Sequence, residues 1–172
     1  MRRALGIAGA LAAALTAGGT GLASAQEAPV PIGPDCYKTL CLGQSEQDAL
    51  ATGLVVDQTP GEPNQRCNVL DFRPEEGQGH PGNGVFVHPT RGVVEIQGTD
   101  AMRTPEGVGF GQTLDQVKAA YPDLYQYPPM DFTYASDIPD RPGQRYIFAF
   151  KEDGYLADFG LENEAGMDAC SS

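Results

Sequence analysis

The chain has 172 residues, a formal net charge of −12 and a 41% share of hydrophobic residues, which is enough for one domain with a packed core. Because so acidic a protein repels nucleic acid and anionic lipid, we expect no nucleic-acid partner and no membrane partner after removal of any leader. The charge suits a basic protein partner, or a surface that only keeps the protein dispersed.

The first 25 residues have the pattern of a secretory signal peptide. Arg2 and Arg3 precede an Ala-rich apolar run over residues 5–15, and Ala23-Ser24-Ala25 is a small-residue cleavage site. A membrane anchor is the alternative, but Gly and Thr interrupt the run before the ~20 apolar residues of a span. Cleavage leaves 147 residues (172 − 25) with 9 basic and 23 acidic side chains, a net charge of −14. We therefore expect an extracellular protein.

Four cysteines in an exported chain predict two disulfides. Cys36 and Cys41 flank a short turn that a local bridge can close, which leaves Cys67 for Cys170. The alternative joins Cys36 or Cys41 to Cys67. A zinc site is disfavoured, because this cysteine spacing without a nearby His does not match zinc motifs, and we expect no metal.

The remaining elements follow in chain order. Residues 26–35 contain three prolines and are expected to form an extended leader. Apolar periodicity and turn residues then predict two helices and three clear strand regions. These are a helix over 45–52, a strand over 67–72, a hairpin of 85–88 and 93–96, a helix over 113–121, and a hairpin of 146–150 and 155–161.

One stretch occurs twice and predicts an internal repeat. Gly43-Gln44-Ser45 matches Gly111-Gln112-Thr113 at an offset of 68, and Gly92 matches Gly154 at an offset of 62. Ser45 and Thr113 stand where helix N-caps belong, and Gln116 gives Thr113 the spacing of a capping box. We expect an α+β fold in which two tandem helix plus antiparallel-sheet repeats, residues 36–106 and 107–172, form one domain.

A three-residue turn at residues 152–154 is expected to pair Phe150 with Leu156 and Phe148 with Asp158, and the first hairpin to pair His88 with Val94 and Phe86 with Ile96. Strand alternation then predicts two sheet faces. The expected core face carries Phe86, His88, Val94, Ile96, Phe148, Phe150 and Leu156. The opposite face is also apolar, which is typical of a binding surface or of a second buried layer. The residues predicted there as partner-binding are Val85, Val87, Ile147, Ala149, Tyr155 and Phe159.

The segments GVVEI, RTPEGVGFGQT and VKAAYPDL resemble secreted actinobacterial proteins built from two tandem copies of a small α/β unit. Their layout is similar to that of β-lactamase inhibitory proteins, in which two such units join into one concave sheet that grips the enzyme. The resemblance covers residues 33–170. It implies a disulfide between Cys67 and Cys170, and an inhibitory role.

Catalytic machinery is not recognisable in the sequence, and we expect no catalytic residue and no cofactor. His80 and His88 are the two histidines, and neither stands in a pattern typical of a nucleophile and its base. The sequence favours a non-enzymatic, monomeric protein-binding module in function, with an enzyme inhibitor as the narrower expectation. The alternatives are a small extracellular hydrolase whose carboxylates meet only in the fold, and a structural envelope protein.

Overall fold

The computed structural model describes residues 28–57, 66–80, 84–164 and 170. The predicted signal peptide, residues 1–25, lies outside this part. Of the described residues, 40% are in strands and 13% in helices. The helices are α1 (Glu46–Ala51) and α2 (Leu114–Ala120), with one turn of 3₁₀ helix at Pro74–Glu76.

Most of the strands belong to one antiparallel sheet of eight. In the order in which they pair across the sheet, they are β4 (Val55–Asp57), β5 (Asn68–Phe72), β6 (Val85–His88), β7 (Gly92–Gln97), β12 (Leu156–Asn163), β11 (Gln144–Phe150), β10 (Thr133–Asp137) and β9 (Tyr125–Gln126). The other strands form two small pairs, β1 (Val30–Pro31) with β8 (Met102–Arg103), and β2 (Cys36–Tyr37) with β3 (Leu40–Cys41).

The expected fold class, α+β with two tandem helix-plus-sheet repeats, is wrong. The described chain is mostly β, with a single continuous sheet and two short helices. The helices have six and seven residues, and each fully buries one side chain, Ala49 in α1 and Val117 in α2. Helices this short cover little of a sheet of eight strands. Loop and short-strand residues complete the apolar layer, among them Ile32, Tyr37 and Met102.

Both predicted helix starts are confirmed. The Ser45 hydroxyl accepts a hydrogen bond from Asp48 N at 3.2 Å, and Thr113 forms a full capping box with Gln116. The Gly-Gln pair before each helix is tied to a sheet strand by two backbone bonds. Gly43 N and Gln44 O bond to Val93 at 2.8 and 2.7 Å, and Gly111 N and Gln112 O bond to Leu156 at 3.0 and 2.8 Å. Each helix therefore begins at a fixed point on the sheet.

Both disulfides are present. Cys36–Cys41 joins the paired strands β2 and β3, and Cys67–Cys170 links residues 103 positions apart. In the chain-entropy treatment, a bridge that closes so long a loop lowers the entropy of the unfolded chain and stabilises the fold by up to ~4–5 kcal/mol. Among the described residues, no helix is both long enough and apolar enough to cross a bilayer.

Two β-bulges set which side chains enter the core. In the second hairpin Phe150 pairs with Leu156 as expected, but a bulge then pairs Phe148 with Phe159. In the first hairpin His88 pairs with Gly92 in place of Val94, and a bulge between Phe86 and Val87 then leaves Phe86 opposite Glu95 in place of Ile96, a net shift of one residue. Because a shift of one residue exchanges the two faces of a strand, these irregularities move several apolar side chains across the sheet.

We call the sheet face that packs against α1 and α2 the core face, and the opposite one the outer face. The core face carries Val85, Val87, Val93, Ile96, Tyr146, Phe148, Phe150, Leu156, Phe159 and Leu161. Phe86, His88 and Val94, which were predicted to be on the core face, are outside this cluster, although Val94 is itself fully buried. Phe159 is held especially closely, since its ring lies over Gly98, where a Cβ atom would come within 2.4 Å of it.

Replacing Phe159 with Ala is therefore expected to cost ~3–5 kcal/mol of unfolding free energy, as for other buried Phe residues. The matched control is Tyr155→Ala, because Tyr155 precedes the same strand but is 50% exposed, and it should cost less than ~1 kcal/mol. Urea denaturation of the chain lacking residues 1–25, with disulfides intact, measures both. Equal losses in the two variants would contradict this placement.

Candidate functional site

The six residues predicted to bind a partner do not form one surface. Val85, Val87 and Phe159 are 0%, 2% and 1% exposed and belong to the core, so their assignment to a binding face is wrong. Ile147 and Ala149 lie half-buried on the outer face. Tyr155 is half-exposed just before β12. The bulges explain this division, because they place the first three residues on the core face.

The outer face carries a row of charge at the centre of the sheet. Neighbouring strands place Phe86, Glu95, Glu162, Arg145 and Asp137 side by side, in that order, from β6 to β10. Glu95 and Glu162 are direct cross-strand partners in the pair that joins β7 to β12. Carboxylates directly opposite each other repel when both are ionised. The sheet is therefore joined at a pair of like groups.

Burial and hydrogen bonding show how the pair is accommodated. Glu95 is 5% exposed and Glu162 is 1% exposed. Glu162 Oε1 lies 3.3 Å from Arg145 Nε, and Glu95 Oε1 accepts a bond from Gln97 Nε2 at 2.9 Å. Burial, together with the negative charges of Glu162 and Asp158, raises the pKa of Glu95 to about 8, against the smaller opposing effect of the Gln97 hydrogen bond. Glu95 is therefore mainly protonated at neutral pH.

A protonated acid beside a carboxylate is also the arrangement that many hydrolases use for acid–base chemistry. Here Glu95 and Glu162 are both buried, so a substrate at the surface does not reach them. We therefore assign the pair to the packing of the sheet. Neither residue was identified from the sequence. A signal was present, since Glu95 stands between Val94 and Ile96, and Glu162 follows Leu161, so that strand alternation places each acid on the face opposite an apolar neighbour.

Two large aromatic side chains are exposed at one end of the sheet. Phe132 is 51% exposed and Tyr155 is 50% exposed. Their backbone carbonyls flank the end of β11, since Phe132 O accepts from Phe150 N at 2.8 Å and Tyr155 O accepts from Lys151 N at 3.0 Å. Phe132 also has a φ of +60°, a left-handed conformation that is costly for a bulky residue. Phe132 was not identified from the sequence.

The histidines lie in separate local settings. The His80 ring packs edge-on against Phe110 at 5.8 Å, and His88 Nδ1 accepts a bond from Thr90 N at 3.2 Å. Across the described ranges, no three His, Cys, Asp or Glu residues group closely enough to hold a metal ion.

The described part of the chain lines at least two cavities. The larger, about 730 Å³, is lined by charges of both signs, including Lys38 and Arg103 against Glu75 and Asp100. Because these charges have both signs and Lys38 is ion-paired with Glu76, the cavity does not favour a ligand of either charge. The smaller, about 300 Å³, lies at the end of β10 opposite Phe132 and has carboxylates and aromatic rings in its walls.

No protein-family model matches the chain, and no curated protein matches it. Among solved structures, the fold is similar to the crystal structure of the uncharacterized protein yfeY from Escherichia coli. The TM-score is 0.49 and the sequence identity is 9%, over 77% of this chain and 99% of that one. A similarity at this level supports no conclusion about function.

The buried carboxyl group of Glu95 predicts a specific dependence of stability on pH. Its pKa in the folded chain is about 8, raised from 4.5. Below pH 4.5 both states keep the proton; between 4.5 and 8 the unfolded chain releases it first, so this group's contribution to stability falls as pH rises. Glu95→Gln should remove that loss, and its advantage over wild type should grow with pH by at most about 1.4 kcal/mol per unit.

Denaturation of both proteins between pH 5 and pH 8.5 measures that difference. Glu152→Gln is the control, because Glu152 is an exposed acid in a hairpin turn and its replacement removes one ionisable carboxyl group, as Glu95→Gln does. If the two variants gained stability equally as pH rose, general charge repulsion and not the Glu95–Glu162 pair would be responsible.

Proposed function

We propose that this protein is an exported, non-enzymatic protein-binding module that contacts its partner through Phe132 and Tyr155. The observation that carries the proposal is Phe132, which is 51% exposed at a φ of +60°. Tyr155, 50% exposed at the same end of the sheet, supplies a second rigid aromatic contact.

Phe132 combines two costs that packing within the described chain does not offset. Leaving half of a Phe side chain in water forgoes about 1 kcal/mol or more of burial, and a left-handed backbone costs a bulky residue ~1–3 kcal/mol. Gly or Asn would avoid both. Strain of this kind is typical of functional positions, which supports a role for the side chain outside the fold. Exposed aromatic residues are the usual anchors of protein interfaces.

The disulfides and the net charge support two parts of this proposal, the extracellular setting and the kind of partner. The bridges Cys36–Cys41 and Cys67–Cys170 suit an oxidising compartment, where disulfides persist. The strongly acidic chain favours a partner with a basic surface around the aromatic contacts. Enzyme inhibition is the narrower form of this proposal, and it applies if the captured partner is an enzyme.

The strain at Phe132 gives the first test, which needs no partner. Phe132→Gly should raise the unfolding free energy by up to ~1 kcal/mol relative to Phe132→Ala, because Gly adopts a positive φ without steric cost. Chemical denaturation of the two variants gives the difference. If Ala proves as stable as Gly here, the backbone is not strained and the main support for the proposal is lost.

The second test is capture of the partner from the secreted proteins of the source organism. The wild-type chain lacking residues 1–25 should retain one stoichiometric protein, and Phe132→Ala and Tyr155→Ala should each weaken binding by more than ~1 kcal/mol. Tyr125→Ala is the matched control, because Tyr125 is an exposed aromatic, 37% accessible, in the edge strand β9. The proposal would be refuted if the wild-type chain captured no protein, or if the Phe132→Ala and Tyr155→Ala variants captured as much as the wild-type chain.

A further inference from the structure

The smaller cavity lies between the C-terminal end of α2, the C-terminal end of β10 and the loop that connects β1 to β2. Its volume is about 300 Å³, at the lower end of small-molecule sites. Four prolines in its walls limit backbone movement, so the cavity is formed before any ligand arrives. They are Pro34, Pro105, Pro122 and Pro139. A cavity of this size accommodates one small group and excludes larger ligands.

Two tyrosines line the cavity, and their hydroxyl protons are already committed. The Tyr121 hydroxyl donates to Glu106 Oε2, and the Tyr146 hydroxyl donates to the carbonyl of Ile32 at 3.0 Å. The two ring centroids are 5.8 Å apart with the planes tilted by 53°. An incoming anion therefore finds neither phenolic proton free. A cation finds ring π-electrons and oxygen acceptors.

The charged residues that line the cavity are all acidic. They are Glu106, Asp123 and Asp137, and the lining, which lies entirely within the described ranges, includes no Lys or Arg. Two arginines lie just outside it and are ion-paired: Arg141 Nε is 2.9 Å from Asp35 Oδ1, and Arg145, the cross-strand neighbour of Asp137, has its Nε 3.3 Å from Glu162 Oε1. Burial raises the pKa of Tyr146, and the negative charges of Glu106 and Asp35 raise it further, as expected where the potential is negative.

From this geometry we propose that the cavity is a binding site for an organic cation, an ammonium or guanidinium group. The group would lie against the tyrosine rings with its charge facing Glu106. Aromatic and proline walls suit the apolar stem of such a ligand better than a bare metal ion, which prefers several oxygen ligands together. A free small molecule and a Lys or Arg side chain of another protein offer the same chemistry. The site lies at the opposite end of β10 from Phe132 and is independent of it.

Titration of the ¹⁵N-labelled chain lacking residues 1–25 tests the proposal. The probes are Nα-acetyl-arginine ethyl ester, whose only charge is the guanidinium, and its neutral isostere Nα-acetyl-citrulline ethyl ester. The arginine ester should shift the amide signals of Tyr121, Ile138 and Tyr146 in a saturable way, and citrulline ester should not. Glu106→Gln should raise the Kd for the arginine ester by about tenfold, because it removes the charge while keeping an acceptor for Tyr121.

Glu152→Gln is the control, since it removes one negative charge in an exposed turn away from the cavity. It should leave the Kd unchanged. An arginine-containing tripeptide with blocked ends distinguishes the sources of the cation: tighter binding than the ester indicates a protein side chain, and weaker binding indicates a free molecule. Equal shifts from citrulline ester, no saturable shift from the arginine ester, or an equal loss in Glu152→Gln would each overturn the site.

The Phe132→Ala variant separates this inference from the proposed function. Its Kd for the arginine ester should equal that of wild type, because Phe132 precedes the first residue of β10 and the cavity is bordered by the last. If the cavity binds the ester and Phe132→Ala still captures a partner normally, the cation site stands and the aromatic contact does not. If the ester does not bind and Phe132→Ala loses the partner, the aromatic contact stands and the cation site does not.

Discussion

The pairing of β7 with β12 is the constraint on which the rest of the sheet depends. Three residue pairs, ending with Glu95 opposite Glu162, join β4–β7 to β9–β12. On the core face this contact places Ile96 beside Leu161, both fully buried. On the outer face the same register forces two carboxyl groups together. The sheet accommodates them because Glu95 holds its proton near neutral pH and Arg145 pairs with Glu162.

The sheet also explains why the two candidate binding features are at its ends. Its central strands commit their apolar side chains to the core face, and the outer face is occupied there by the buried carboxyl pair. The ends of β10 have no such commitment. Phe132 is exposed at one end, and the tyrosine-lined cavity lies at the other. Binding residues placed in loops and supported by a rigid sheet are common, because loops vary without loss of the core.

Local signals in the sequence were read correctly where the physics is local. Capping by Ser45 and Thr113, and the three-residue turn that pairs Phe150 with Leu156, depend on neighbours within a few positions. The face assignment failed at the next step along β12. A bulge after Leu156 advances the register by one residue, and Phe159 enters the core. Nothing in the residue types marks that bulge, and the residues that the Phe159 ring packs against, Gly98 and Phe110, are far from it in the sequence.

The sequence by itself determined the helix starts, both hairpins and the presence of disulfides, since capping, turn and cysteine chemistry act over short distances or depend on residue type alone. Only the tertiary structure decided the fold class, because the strand content and the continuous sheet depend on long-range pairing. It likewise decided the charged row and the cavity, whose members come from distant parts of the chain. Which side chains share a surface follows from register, and a single bulge exchanges the faces.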